Sequence, residues 1–343
     1  MTRGAAGRVE ASWSGAPGTT AWTGLLSPFA AGYGIAAGAA RRRAAVSRRR
    51  VPGVRVIAVG NLTVGGTGKS SLARWLAAEA ALRDRAAVLV RGYGGRGGPR
   101  PAVVPDFPGY PLAVAADRWG DEAAGHRAAL PPEVAVVVDR DRHAAALLAR
   151  DGYGASTMIL DDGWEQGTLA WDELWVALDP ERPEGNGRLL PAGPLRRPPE
   201  TLREAQVLAF VLQSRGAEVP AGTLEWAARH APRARVARFV RLLLDPLPPG
   251  PKRPAGLLTG VGAPERVAGF AEASGYAVVA QAPFPDHARV SPGRLREAML
   301  RAARRGAEVI LITEKDEHRW TMPSDPPLPV RVLRTELCPL DPA

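Results

Sequence analysis

Residues 54–70, VRVIAVGNLTVGGTGKS, constrain this chain more than any other stretch. An unbroken apolar run leads into Gly65, Gly66, Thr67 and Gly68, then into Lys69 and Ser70 at the head of a helical sequence. Continuous apolar residues suit a strand covered on both faces, as in the middle of a parallel sheet. Glycines let backbone N–H groups close on phosphate oxygens, and the start of the next helix adds partial positive charge. A lysine in such a loop reaches the β- and γ-phosphates of a nucleotide, and the hydroxyl after it ligates magnesium. The segment therefore predicts an ATP- and Mg2+-binding loop. Thr63 stands where the strict form of this motif has its first glycine.

A phosphate loop serves kinases, GTPases and ATP-driven partner proteins alike. A GTPase also needs an Asn/Thr-Lys-x-Asp guanine reader, and the nearest string, TEKD at 313–316, has its lysine one place late. Three readings remain. They are a phosphotransferase, an ATPase that drives a partner's conformation, and a membrane-bound nucleotide-binding scaffold.

Short apolar runs alternate with helical stretches from residue 54 onward, the pattern of an α/β fold with a mostly parallel sheet. Strands are expected at 54–60, 87–91, 134–139, 158–161, 174–178 and 207–211, with helices at 70–83, 121–130 and 142–149. A two-stranded ribbon in RARVARFVRLLL and the proline-rich DPLPPGPKRP form a linker region, because proline sustains neither helix nor central strand. A second, smaller α/β block follows, with strands at 256–260, 276–281, 309–313 and 330–333 and helices at 264–274 and 292–305. The expected organisation is an N-terminal segment (1–50), a phosphate-loop core (51–215), a ribbon and linker (216–255) and a C-terminal α/β domain (256–343).

Charge is unevenly placed. The chain carries +10, and residues 1–50 hold eight arginines against one acid, Glu10, so most of the excess lies there. Residues 11–40 carry no charge, and RRRAAVSRRR follows at once. This arrangement predicts an N-terminal membrane-associated helix, either spanning the bilayer or lying in the headgroups, with the arginines drawn to an anionic surface. Pro28 and the many Gly and Ala residues weaken the case for a span. No nucleic-acid motif accompanies the basic run, so nucleic acid is not expected as a partner. The single cysteine, Cys338, rules out an internal disulfide framework and fits a reducing compartment. Nothing in the sequence sets an oligomeric state.

Two acidic pairs are candidates for chemistry. Asp161 and Asp162 close an apolar strand at the edge where doubly wound sheets bind nucleotides, although turn acids also occupy such places. Asp121 and Glu122 open a helix, where acids also serve simply to complement the dipole. His287, after an acid in FPDH, is either a general base or a solvated loop histidine. The other four histidines have no metal-ligand spacing.

Seven strings stand in one order: VGNLTVGGTGKSS, RGYGGR, GDE, LDDGWEQ, GNGRLLPAGPLR, FPDH and TEKD. In this the chain resembles the tetraacyldisaccharide 4′-kinases, lipid A biosynthesis enzymes of Gram-negative bacteria, over roughly residues 20–320. In that family too, threonine takes the first glycine's place. The resemblance implies ATP-dependent phosphorylation of the 4′-hydroxyl of an acylated glucosamine disaccharide 1-phosphate at the cytoplasmic face of the inner membrane. It implies a nucleotide site at Thr63, Gly65, Gly66, Thr67, Gly68, Lys69, Ser70 and Arg91, and magnesium near Ser70, Glu122, Asp161 and Asp162. Asp121 and His287 take the places of the family's catalytic pair, with Lys69. The chain departs from the family at DDGFQH, where it has Trp164, Glu165 and Gln166, and at PLRE, where Arg197 replaces the acid. Ser70-Ser71 replace Thr-Pro and keep a hydroxyl beside the lysine.

Overall fold

Strand β1 (Arg55–Asn61) is buried from Val56 onward, as its unbroken apolar run requires. In the computed structural model it lies at the centre of a nine-stranded sheet. The structure describes residues 13, 20–98, 100–106, 112–261, 264–285, 288 and 290–341. The other strands of that sheet are β2 (Ala86–Val90), β3 (Ala102–Val103), β4 (Ala135–Val138), β5 (Thr157–Asp161), β6 (Glu173–Leu178), β7 (Val207–Leu212), β8 (Arg235–Leu243) and β13 (Thr335–Pro339). Their order is β13-β8-β7-β6-β1-β5-β2-β4-β3, parallel except at the two edges.

Both faces of this sheet are covered. Val56 and Ala58 of β1 pack with Ala145, Ala146 and Ala149 of one helix, which we number α5 (Arg142–Tyr153), and with Trp226 of α6 (Ala221–His230). Ile57 and Val59 pack on the other side with Leu72, Ala73, Leu76 and Ala77 of α2 (Lys69–Ala81), and with α3 (Leu112–Trp119) and α4 (Asp121–Ala129). Each buried Val or Ile contributes about 1.5–3 kcal/mol, so the two layers fix β1 in place and, with it, the loop that follows.

A second sheet of four parallel strands, in the order β10-β9-β11-β12, comprises β9 (Arg253–Thr259), β10 (Tyr276–Pro283), β11 (Val309–Thr313) and β12 (Val330–Leu333). Helices α7 (Pro264–Ala273) and α8 (Pro292–Arg304) connect its strands. The ribbon expected near 234–244 is instead the single strand β8, paired with β7 on one side and β13 on the other. β13 has no counterpart in the sequence reading, and it returns the chain to the large sheet.

The N-terminal helix α1 (Thr20–Ser47) continues through Pro28. Its Tyr33 hydroxyl donates to the Arg196 carbonyl at 3.3 Å, and Gly34 lets it close on Leu189. Leu25, Phe29 and Ile35 are exposed. No helix among the described residues is long and apolar enough to cross a membrane, because Gly and Ala dilute the apolar content of α1.

Helix α9 (Glu314–Arg319) follows β11 directly and docks the small sheet on the large one. Its capping box joins Thr313 to Asp316, and Asp316, fully buried, also accepts from Thr259 Oγ1 and the Gly260 amide, both at 2.9 Å. Glu314 pairs with Arg74 of α2 at 2.6 Å, and Arg266 of α7 pairs with Asp179 beyond β6. His318 lies against α4, where a Cβ at Gly125 would fall 2.9 Å from its ring.

Burial, reinforced by the Arg74 charge, lowers His318 to about 4 from its ordinary 6.5. Between those values the folded chain binds fewer protons than the unfolded chain, so stability falls as pH drops. From pH 7 to pH 5 the loss due to this group is expected to be about 1–2 kcal/mol. Urea unfolding at both pH values should show that loss in the parent and a smaller one in His318→Gln. Equal acid sensitivity in the two proteins would clear His318 of this role.

Candidate active site

The phosphate loop leaves β1 at the C-terminal edge of the large sheet. Gly68 adopts a left-handed conformation (φ 90°), and a Cβ there would meet Val211 at 2.8 Å, so this position requires glycine. Gly65 also has positive φ, and a Cβ at Gly65 or Gly66 would meet nothing within 4 Å. That side of the loop faces open space. Thr63 is buried and bridges to Leu195, while the Thr67 hydroxyl is buried without a hydrogen bond among the described residues.

Lys69 and Ser70 begin α2, and β5 ends beside them with Asp161. Lys69 Nζ lies 2.9 Å from Asp162 Oδ1 and 3.4 Å from Asp161 Oδ1. Burial alone would lower the lysine, but Asp161 and then Asp162 outweigh it and raise its pKa. Burial acts to raise Asp161, yet Lys69 and a hydrogen bond from His126 hold it well below the carboxylate range. Ser70, at the head of α2, acts on Asp161 in the same direction. Asp162 sits in the left-handed region at φ 55°, uncommon for a residue with a side chain, and Arg196 reaches its Oδ1 at 2.7 Å. Lysine, serine and both aspartates thus form one half-buried charge cluster around a fully buried Asp161.

The structure places the other predicted residues around it. Glu122, exposed at the start of α4, is raised by desolvation and then by Asp161. Asp121 opens α4 and pairs with Arg319 Nε at 2.7 Å. Arg91 is exposed just beyond β2, at the same sheet edge, with β5 between β2 and β1. His287 lies outside the described residues.

Three contributors went unread in the sequence. His126 is buried, with Nε2 2.8 Å from Asp161 Oδ2, and its only sequence signal is helical spacing from Glu122, four residues earlier. Arg196 joins Asp162 to the Asn61 side chain. Arg142, pushed down to about 10 by burial against the pull of Asp161 and Glu122, lies behind the cluster.

The departures from the family strings form a site of their own. Arg197, 2% exposed, donates Nε to Glu165 at 2.5 Å, bonds the Trp164 carbonyl and stacks 4.2 Å from the Trp164 ring. The acid missing at position 197 thus has a counterpart in Glu165, which stands where the family has glutamine and pairs with the arginine. Gln166 turns into its own loop, accepting from the Thr168 and Leu169 amides.

The sequence matches the tetraacyldisaccharide-1-P 4′-kinase family over residues 22–342. The chain belongs to that family. Among curated relatives it is similar to the tetraacyldisaccharide 4′-kinase of Geobacter sulfurreducens, 35% identical over 93% of this chain and 90% of the relative. The tetraacyldisaccharide 4′-kinase of Gluconacetobacter diazotrophicus is 36% identical, over 90% and 87%. The fold is shared with the "apo" form of LpxK from Aquifex aeolicus, solved in complex with ATP, at 24% identity and a TM-score of 0.66, covering 93% of this chain and 95% of that one.

In this tetraacyldisaccharide 4′-kinase family member, the Glu165–Arg197 exchange makes a direct prediction. Arg197→Glu sets a carboxylate among Glu165 and Glu204 and should cost about 3–5 kcal/mol, the scale of a broken buried pair. Adding Glu165→Gln, which restores the family's usual residue types, should recover more than about 1 kcal/mol of that in denaturant unfolding. Equal stability of the single and double variants would refute the pairing.

Proposed function

We propose that this protein transfers the γ-phosphoryl group of ATP to the 4′-hydroxyl of an acylated glucosamine disaccharide 1-phosphate, a step in lipid A biosynthesis. The observation that carries this reading is Lys69, held between Asp161 and Asp162 under a loop whose glycines face open space. Family membership supplies the acceptor.

The amides of Gly65–Gly68 cradle the phosphates, and Lys69 shifts from Asp162 to the terminal phosphate as it arrives. Ser70 Oγ and Asp161, whose buried Oδ1 accepts no hydrogen bond among the described residues, form an oxygen donor set suited to Mg2+, with Glu122 beside them. Mg2+ takes one or two carboxylates plus phosphate oxygens, so these residues suffice to hold it. Bound there, it supplies charge neutralisation on the phosphates. Asp121, together with His287, accepts the proton of the attacking hydroxyl, and Arg91 faces the nucleotide.

The small sheet and its helices, from β9 to β12, act as a second, smaller α/β domain inserted between β8 and β13. Helix α1 lies in the headgroups of an anionic membrane at the cytoplasmic face, with Leu25, Phe29 and Ile35 toward the lipid. Its contact with the Arg196 carbonyl joins that surface to Asp162 through the same residue. The acceptor therefore reacts while its chains stay in the bilayer.

With γ-labelled ATP and extracted acyl-disaccharide 1-phosphate, the parent should label the lipid, and Lys69→Ala should transfer at least about 10²-fold more slowly. ATP hydrolysis without labelled lipid would favour the partner-driving ATPase instead. Removal of residues 1–47 should release the protein from phosphatidylglycerol vesicles in a flotation assay. Continued flotation would place attachment elsewhere.

A further inference from the structure

Arg319 and Asp121 are 198 residues apart in sequence, yet Arg319 Nε lies 2.7 Å from Asp121 Oδ2. The arginine side chain is 7% exposed, against 40% for the aspartate. Burying a guanidinium costs free energy unless its partners are well placed. Arg319 is held in place by the rest of α9. Glu314 is tied to Arg74 and to the Thr335 amide, Asp316 to β9 and the Gly260 amide, and Glu317 to Arg334 at 2.7 Å. A six-residue helix so anchored presents its last side chain in one position.

The next residue reaches a loop of the small sheet instead. Trp320 Nε1 donates to the Ala288 carbonyl at 3.0 Å, and its ring stacks edge-on against Phe284. Ala288 directly follows His287 in sequence. Neighbouring residues at the end of α9 therefore grip the Asp121 carboxylate and the segment that follows FPDH.

We propose that Arg319 is a positioning residue for Asp121 in phosphoryl transfer. It fixes the carboxylate by Oδ2 and leaves Oδ1, which accepts no hydrogen bond among the described residues, to take the hydroxyl proton. Arg319 touches neither substrate nor nucleotide and acts through Asp121. Helix α9 thereby aligns a group of the large sheet with a loop of the small one. This inference rests on the reading of Asp121 as proton acceptor.

A cycle of full-length variants tests it, with kcat measured on the lipid acceptor at saturating ATP. Arg319→Ala should lower kcat about 10–100-fold, the scale of a displaced reacting group, while KM for ATP stays unchanged. Arg319→Lys should recover part of the loss, and added guanidinium should restore Arg319→Ala saturably. In an Asp121→Asn background, Arg319→Ala should cost nothing further. A multiplicative loss in the double variant, or a kcat at or above the parent's in Arg319→Ala, would overturn the positioning role while leaving the Asp121 reading intact. Parent-like kcat in Asp121→Asn alone would instead remove Asp121 from the chemistry, and this inference with it. If Arg319→Ala does not fold, Arg319→Lys decides alone. A reduced kcat at unchanged KM that vanishes in the Asp121→Asn background supports the role, and any other result overturns it.

Discussion

A carboxylate buried at a sheet edge, with a second half-buried beside it, is stable as an anion only among cations and hydrogen-bond donors, and the site depends on that requirement. Asp161 is 1% exposed and meets His126, Ser70 and Lys69, while Asp162 meets Lys69 and Arg196. The strands put the acids there. β5 pairs with β1 in register so that Val59 lies opposite Asp161, which brings the strand-end acid level with the root of the phosphate loop. Each partner comes from a different element: Lys69 from α2, His126 from α4 and Arg196 from the loop before β7. Displacing any of them takes a cation or a hydrogen-bond donor away from a carboxylate that needs it.

The same economy explains the departures around Trp164. A family-typical acid at position 197 is replaced by arginine, and a family-typical glutamine at 165 by glutamate. Read separately, the two changes look like erosion of a site. Facing one another at hydrogen-bonding distance, the two changes supply each other's counter-charge.

What the sequence disclosed was mostly local. β1, β2 and β5 through β7 are apolar runs whose burial is written in composition, and the loop at 65–70 carries its own chemistry. β8 was misread as a ribbon because RARVARFVRLLL alternates charge with apolar residues, which suits either a hairpin or one strand beside an edge. The choice depended on β13, about a hundred residues later. His126 escaped notice because its partner is a carboxylate on another strand, and no spacing within its own helix announces that. Arg319 is likewise unreadable, since TEKD signals a cap but not the surface it meets.

The small sheet is inserted between β8 and β13, which lie side by side, and the Leu244 amide bonds the Arg334 carbonyl where both strands depart. Entry and exit thus share one seam. Away from that seam the small body is held to the helices of the large sheet by Glu314 on Arg74 and Arg319 on Asp121, and to the end of β6 by Arg266 on Asp179. A chain that leaves and re-enters at one place leaves orientation to such ionic contacts, so disturbing them would turn the whole small body rather than one loop.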